Sequence, residues 1–276
     1  MKKTWIIIGA SLIVLGTIIF TGVMTMLKWN FSKLSTEKYQ TVSYKTTDNF
    51  GSICINSNTA KIDFVLSDEY KVECFESKKI SHDVYVQNGT LTITEKDNRK
   101  WYDHIGIFFK TPKITVCLTK TQFNSLVVKN TTGDINVAKD FSFTDAEIHL
   151  TTGDIKYFAK TEKSLKLHTT TGDIKVSGIS PEQLAATLTT GDITLSNVVA
   201  SEKLNVKCTT GDVVFDKCDA GEIYVKTTTG DITGSLLSEK VFLTKTTTGD
   251  ISVPQTVSGG KCELKTTTGD IKITVE

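Results

Sequence analysis

The chain has 276 residues with 32 Lys+Arg against 31 Asp+Glu, so its net charge is near zero and nothing points to a nucleic-acid partner. With 39% apolar but only 8% aromatic residues, the composition suits thin coils filled by Val, Ile and Leu better than one thick globular core.

In chain order, Lys2 and Lys3 precede an uncharged run from Trp5 to Leu27. As a helix this run spans about 34 Å, enough to cross a bilayer. Trp5 and Trp29 stand at its two ends, where indole rings favour the interface. The lysines and the amino terminus before the span place residues 1–4 inside and everything after residue 27 outside the cytoplasm. A cleaved secretory signal is the alternative, but no small-residue cleavage site stands around Gly22 to Lys28, and no Cys precedes Cys54 to make a lipoprotein.

The expected organisation is a membrane helix over 5–27, a linker over 28–38, an irregular N-terminal β cap over 39–124 and β-solenoid repeats over 125–276. Within the cap region, short alternating runs such as Ser52 to Asn56, Lys61 to Leu66 and Lys71 to Phe75 read as strands, and Asn88-Gly89 marks a two-residue hairpin. The stretch from Lys96 to Phe109 breaks the pattern with concentrated charge and aromatics. Arg99, Trp101, Tyr102 and His104 are its candidate non-repeated contact residues. The competing reading is that the aromatics there simply pack onto the cap.

From about Asn124 the chain carries eight copies of Thr-Thr-Gly-Asp-(Ile/Val). Their glycines are Gly133, Gly153, Gly172, Gly191, Gly211, Gly230, Gly249 and Gly269, spaced by 19 or 20 residues. A period this short means one stacked coil per copy, because no unit can bury a core alone. Apolar residues recur seven and five before each glycine, as in Leu204/Val206, and two and four after it, as in Val213/Phe215; Phe242/Thr244 is the weak copy. Both arms alternate like half-buried strands. Continuity of the alternation requires a corner at the glycine, with the Thr just before it turned in and Asp turned out. The predicted fold is all-β, a single-stack parallel β-solenoid of eight coils behind one transmembrane helix.

These coils, with Asn88 to Ile93 and Lys113 to Leu118 before them, resemble the bacterial putative-adhesin family with β-strand repeats, which includes LiaG-like membrane-anchored envelope-stress proteins. The resemblance covers roughly Tyr39 to Glu276. It implies a surface role and carries no catalytic residues to transfer.

The acids from Asp134 to Asp270 repeat identically, whereas catalysis needs carboxylates in differing surroundings. No enzyme activity, cofactor or metal site is therefore predicted. The Asp ladder is neutralised either by backbone N–H groups at each corner or by bridging Ca²⁺. His149 and His168 occupy the position that is Lys129, Lys207, Lys226, Lys245 and Lys265 in other coils and read as members of a basic row. Cys208, Cys218 and Cys262 fall on inward phases as small hydrophobes, no Cys-x-x-Cys suggests zinc, and Cys54 with Cys74 is a candidate disulfide. The last strand, Ile271 to Glu276, reads as an open edge that could pair with a second copy. Two functions fit: a surface binding scaffold with a cell-surface ligand, or an envelope-stress accessory acting through membrane partners.

Overall fold

The computed structural model describes residues 2–31, 38–100 and 111–276. The chain divides into an N-terminal unit that holds the helix and a β unit of Gln40–Asp97 with Thr111–Glu276.

The helix runs over Lys2–Met26. By length and composition, Lys3–Met26 is apolar enough to cross a membrane. Most of its apolar side chains are exposed, among them Trp5, Ile6, Leu12, Ile13 and Ile18, while Met24 near its end is buried. Its threonines do not spoil that apolar surface. Thr17, Thr21 and Thr25 donate their hydroxyls to the carbonyls of Ile13, Thr17 and Thr21 at 2.8, 2.7 and 2.8 Å.

The β unit is the expected parallel solenoid. Each coil enters its corner on one strand, for example Gln122–Thr132 or Ser142–Thr152, and leaves it on another, Ile135–Val137 or Ile155–Tyr157. Entry strands stack on entry strands in parallel register, Ala146 on Leu126 and Leu165, and exit strands likewise, Ile155 on Ile135 and Ile174. A second bend six residues after the glycine takes positive φ at Gly178, Asn197 and Lys217. Inside, Leu204, Val206, Val213 and Phe215 of a single coil are all buried. Burying side chains of this size contributes about 1.5–3 kcal/mol each, so stacking stabilises what an isolated coil cannot.

The corner differs from the sequence expectation in one detail. The residue third before the glycine turns in, as expected at Cys208 and also at Leu150, Thr169, Leu188 and Thr227, but the Thr just before the glycine, expected inside, is exposed. The inward residue has a task. Thr227 Oγ1 donates to Gly211 O at 3.3 Å and Thr266 Oγ1 to Gly230 O at 3.0 Å, each capping the corner carbonyl of a neighbouring rung. The glycines sit at the closest approach: at Gly191, with φ 129°, an added Cβ would lie 2.2 Å from Gly172 O.

The order of rungs also departs from the order of the chain, at both ends. Strand Val213–Lys226 pairs with Gly260–Lys265, which pairs in turn with Lys240–Lys245. On the exit side Ile232–Leu236 pairs with Ile271–Val275, and that with Ile251–Ser252. The C-terminal repeat is thus inserted between its two predecessors, and of the expected open edge at Ile271 to Glu276 only Ile271 and Lys272 are flanked on both sides, while residues 273–275 pair on one side alone. The outermost rung is Lys240–Lys245 with Ile251–Ser252, the weak copy. A buried ion pair, Lys240 to Asp219 at 2.5 Å, ties that outer rung back to Val213–Lys226.

At the other end, the region expected to be an irregular cap supplies two further rungs. Ser52–Thr59 with Lys61–Leu66 stacks on the Gly133 coil, and Thr90–Asp97 with Lys113–Leu118 stacks outside that. The cover proper is antiparallel: Lys71–Ser77 pairs with Lys113–Leu118, and Ile80–Gln87 with Thr90–Asp97 through the Asn88-Gly89 turn. All six cysteines are free thiols, including Cys54 and Cys74.

Candidate functional site

The eight corner glycines bring their following aspartates into one ladder. Asp154 N–H donates to Asp134 Oδ1 at 3.1 Å, Asp192 to Asp173 at 2.9 Å and Asp212 to Asp192 at 2.8 Å. The ladder then follows the inserted order, Asp270 to Asp231 at 2.7 Å and Asp250 to Asp270 at 2.8 Å. The donor comes from the next rung, not from the carboxylate's own corner as expected. A charge-assisted bond of this kind is worth about 1.5–3 kcal/mol. Repulsion between carboxylates one rung apart is about 1 kcal/mol in water, so the backbone bonds offset it.

The basic row is in register as well: Lys129, His149 and His168 on adjacent rungs, then Thr187, then Lys207, Lys226, Lys265 and Lys245. The two imidazoles lie 5.7 Å apart. His149 Nε2 meets Glu147 Oε1 at 2.6 Å, and this bond holds the Glu147 carboxyl below the usual carboxylate range. Partial burial, then the neighbouring His149, lowers the pKa of His168.

Trp101, Tyr102 and His104 lie outside the described residues, and Arg99 stands just before them.

The cap holds two features that were not singled out from the sequence. One is a cavity of about 290 Å³ lined by Tyr44, Phe50, Tyr70, Val84, Val86 and Leu91. The ring centroids of Phe50 and Tyr70 are 5.0 Å apart. The other is a buried polar cluster between the antiparallel cover strands. Val72, Cys74 and Glu76 alternate inward on one strand, and Ile80 and His82 turn inward on the next. Glu76 Oε2 accepts the His82 backbone N–H at 2.9 Å and faces His82 Nδ1 at 2.8 Å, while Tyr44 Oη donates to Glu76 Oε1 at 3.4 Å. Burial, and then the Glu76 charge, push the Cys74 thiol and the Tyr44 hydroxyl each up to about 12. The sequence signal was present: a charged residue at the third inward position of one strand and a histidine at the second inward position of the next.

Comparison with known proteins agrees with this architecture. No curated protein is detectably similar in sequence. Among solved structures, one described as a "putative lipid binding protein" from Parabacteroides distasonis ATCC 8503 is 15% identical, with a TM-score of 0.56 over 87% of this chain and 98% of its own. A "putative adhesin" from Parabacteroides merdae ATCC 43184 is 14% identical, with a TM-score of 0.50 over 87% and 98%. A "putative adhesin" from Bacteroides fragilis NCTC 9343 is 18% identical, with a TM-score of 0.47 over 87% and 99%. The stacked coils from Phe50 onward are what the family model recognises: residues 50–242 and 183–276 match Toastrack DUF4097, and the chain belongs to that family.

Proposed function

We propose that the protein is a non-enzymatic, single-pass scaffold of the cell surface, with residues 1–4 inside, 5–27 spanning the membrane and the solenoid outside. One observation carries this reading. The N-terminal helix exposes apolar side chains on every side and satisfies the hydroxyls of Thr17, Thr21 and Thr25 internally, a surface suited to lipid and costly in water. The rigid solenoid then offers its outward rows, and the segment with Arg99, Trp101, Tyr102 and His104, to a cell-surface ligand. Descriptions of structural neighbours as adhesins are in keeping with this reading, and the finer likeness to LiaG-like envelope proteins rests on the Thr-Thr-Gly-Asp coils alone. Edge-to-edge pairing with a second copy falls to the strands left open at this end, Lys240–Lys245 and residues 273–275 of the C-terminal strand.

The test is alkaline extraction of membranes combined with protease treatment of intact cells. A full-length chain should stay in the membrane fraction, and its solenoid should be reachable from outside. A soluble chain shortened by residues 1–27, or one reached only after permeabilisation, would overturn the proposal.

A second reading has its own observation, the aromatic-lined cavity of the cap. A neighbour described as lipid-binding shares the fold, and the Tyr44, Phe50 and Tyr70 rings suit an apolar ligand. A fluorescent fatty acid titrated into the detergent-solubilised chain, with Val84→Arg as the blocked control, separates this reading from the first.

A further inference from the structure

We propose that Cys74, Glu76 and His82 supply three of the four ligands of a site for a divalent transition metal, Zn²⁺ by donor chemistry, that pins the cap shut. Among the described residues these three bring a sulfur, a carboxylate oxygen and a ring nitrogen within 4.8 Å of one another, all from buried side chains. Tetrahedral zinc at the usual Zn–N and Zn–S lengths, about 2.0 and 2.3 Å, needs ligands roughly 3.3–3.8 Å apart. The Nδ1 to Oε2 separation is 2.8 Å, so the carboxylate and the ring cannot both ligate through these two atoms without moving apart, which rotamer adjustments supply.

The donor identities decide the class of ion. Thiolate and imidazole are ligands of zinc and its neighbours, whereas calcium and magnesium take oxygen. The ligands come from two cover strands that belong to opposite walls, Lys71–Ser77 on the exit sheet and Ile80–Gln87 on the entry sheet. A metal between them would cross-link the two walls at the solenoid's N-terminal end.

A second observation points to a ligand independently. His82 is buried, its side chain 0% exposed, yet its Nε2 has no hydrogen-bond partner. Leaving a buried polar atom unsatisfied costs about 1–3 kcal/mol, so as a pure hydrogen-bond network the cluster is incomplete. With Nδ1–H donated to Glu76 Oε2, the neutral ring leaves the Nε2 lone pair free, the state in which a histidine oriented by a carboxylate ligates a metal.

The experiment uses the full chain in detergent under reducing conditions, stripped of metal and titrated with Co²⁺ as a spectroscopic stand-in. One equivalent should produce the near-ultraviolet charge-transfer band of a Co²⁺–thiolate bond, and added Zn²⁺ should displace it. Zn²⁺ should also raise the melting temperature by several degrees. The band should vanish in Cys74→Ser and persist in Cys262→Ser, a buried cysteine far from the cap. Absence of the band in the unmodified chain, or its survival in Cys74→Ser, would overturn the site and leave Glu76 and His82 as a hydrogen-bonded pair only.

Discussion

The carboxylate of Asp192 accepts the backbone N–H of Asp212 from the next rung at 2.8 Å. The acid of each repeat is therefore a backbone acceptor for its neighbour, and its conservation of position along the rod has a structural cause. Asp192→Ala should lower stability by about 1–2 kcal/mol, because the Asp212 N–H loses its acceptor. Asp192→Asn keeps an acceptor and relieves repulsion, so it should cost much less. Thermal unfolding of the two variants decides it; equal losses would mean that the charge, not the hydrogen bond, matters. A calcium-selective chelator should leave the unfolding temperature unchanged, since the ladder is satisfied by protein N–H groups.

Gly191→Val should be far more damaging than Lys226→Ala. The valine Cβ would be placed 2.2 Å from Gly172 O at a φ of 129°, and both the strain and the clash act on backbone that cannot step aside. Strain alone is of order 1–3 kcal/mol. Lys226 lies on the outer face and should change the melting temperature little.

Much of the fold was legible because the period fixes the coil and the alternation fixes the phase within it. The corner glycines and the pairs Leu204/Val206 and Val213/Phe215 fell where the 19–20-residue spacing put them. The inward turn at Leu150, Leu188 and Cys208 was also written in the sequence, as apolar residues third before the glycine, but the uniform Thr-Thr drew the phase shift one step too late. The rung order was not legible, since near-identical repeats carry no address and any Thr-Thr-Gly-Asp corner can stack on any other. Only Phe242/Thr244 hinted at it: a coil with a poor inward set costs least at the end of the stack. The Cys74, Glu76 and His82 cluster was missed because the strand was ended at Phe75, before its alternation reached the charged residue.

The Asp219–Lys240 pair should be worth more than a surface ion pair. The two side chains are only 16% and 6% exposed, and removing one partner strands the other charge away from water. Asp219→Ala should cost about 3 kcal/mol, and the double variant with Lys240→Met should recover most of it. Additive losses in this cycle would show that the pair is not coupled.

His168 makes stability depend on pH. Its folded pKa is lowered from 6.5 by burial and by His149, so the unfolded chain takes up the proton first. Stability from this residue is complete above pH 6.5 and falls as the pH drops below it. In His168→Thr, which copies Thr187 of the next rung, the melting temperature should change less over the same interval. An unaltered pH profile would remove His168 as the cause.

The inserted order of the last three coils makes a prediction that simple stacking in chain order does not. Thr229 bridges to Thr268, and Thr268 to Thr248, so Thr229 and Thr248 are two rungs apart although they are consecutive repeats in sequence. Adjacent rungs are about 4.8 Å apart, inside the Cα separation a disulfide accepts, whereas two rungs, about 9.6 Å, exceed the limit of roughly 7 Å. These threonines are exposed, so cysteines there should be accessible to mild oxidant while the native thiols, five buried and Cys54 half-buried in the distant cap, stay protected. Thr229→Cys with Thr268→Cys should cross-link efficiently in the full chain, and Thr229→Cys with Thr248→Cys should not, as read by peptide mapping of the oxidised protein. The opposite result would restore the chain-order solenoid, with Ile271–Val275 at the open edge.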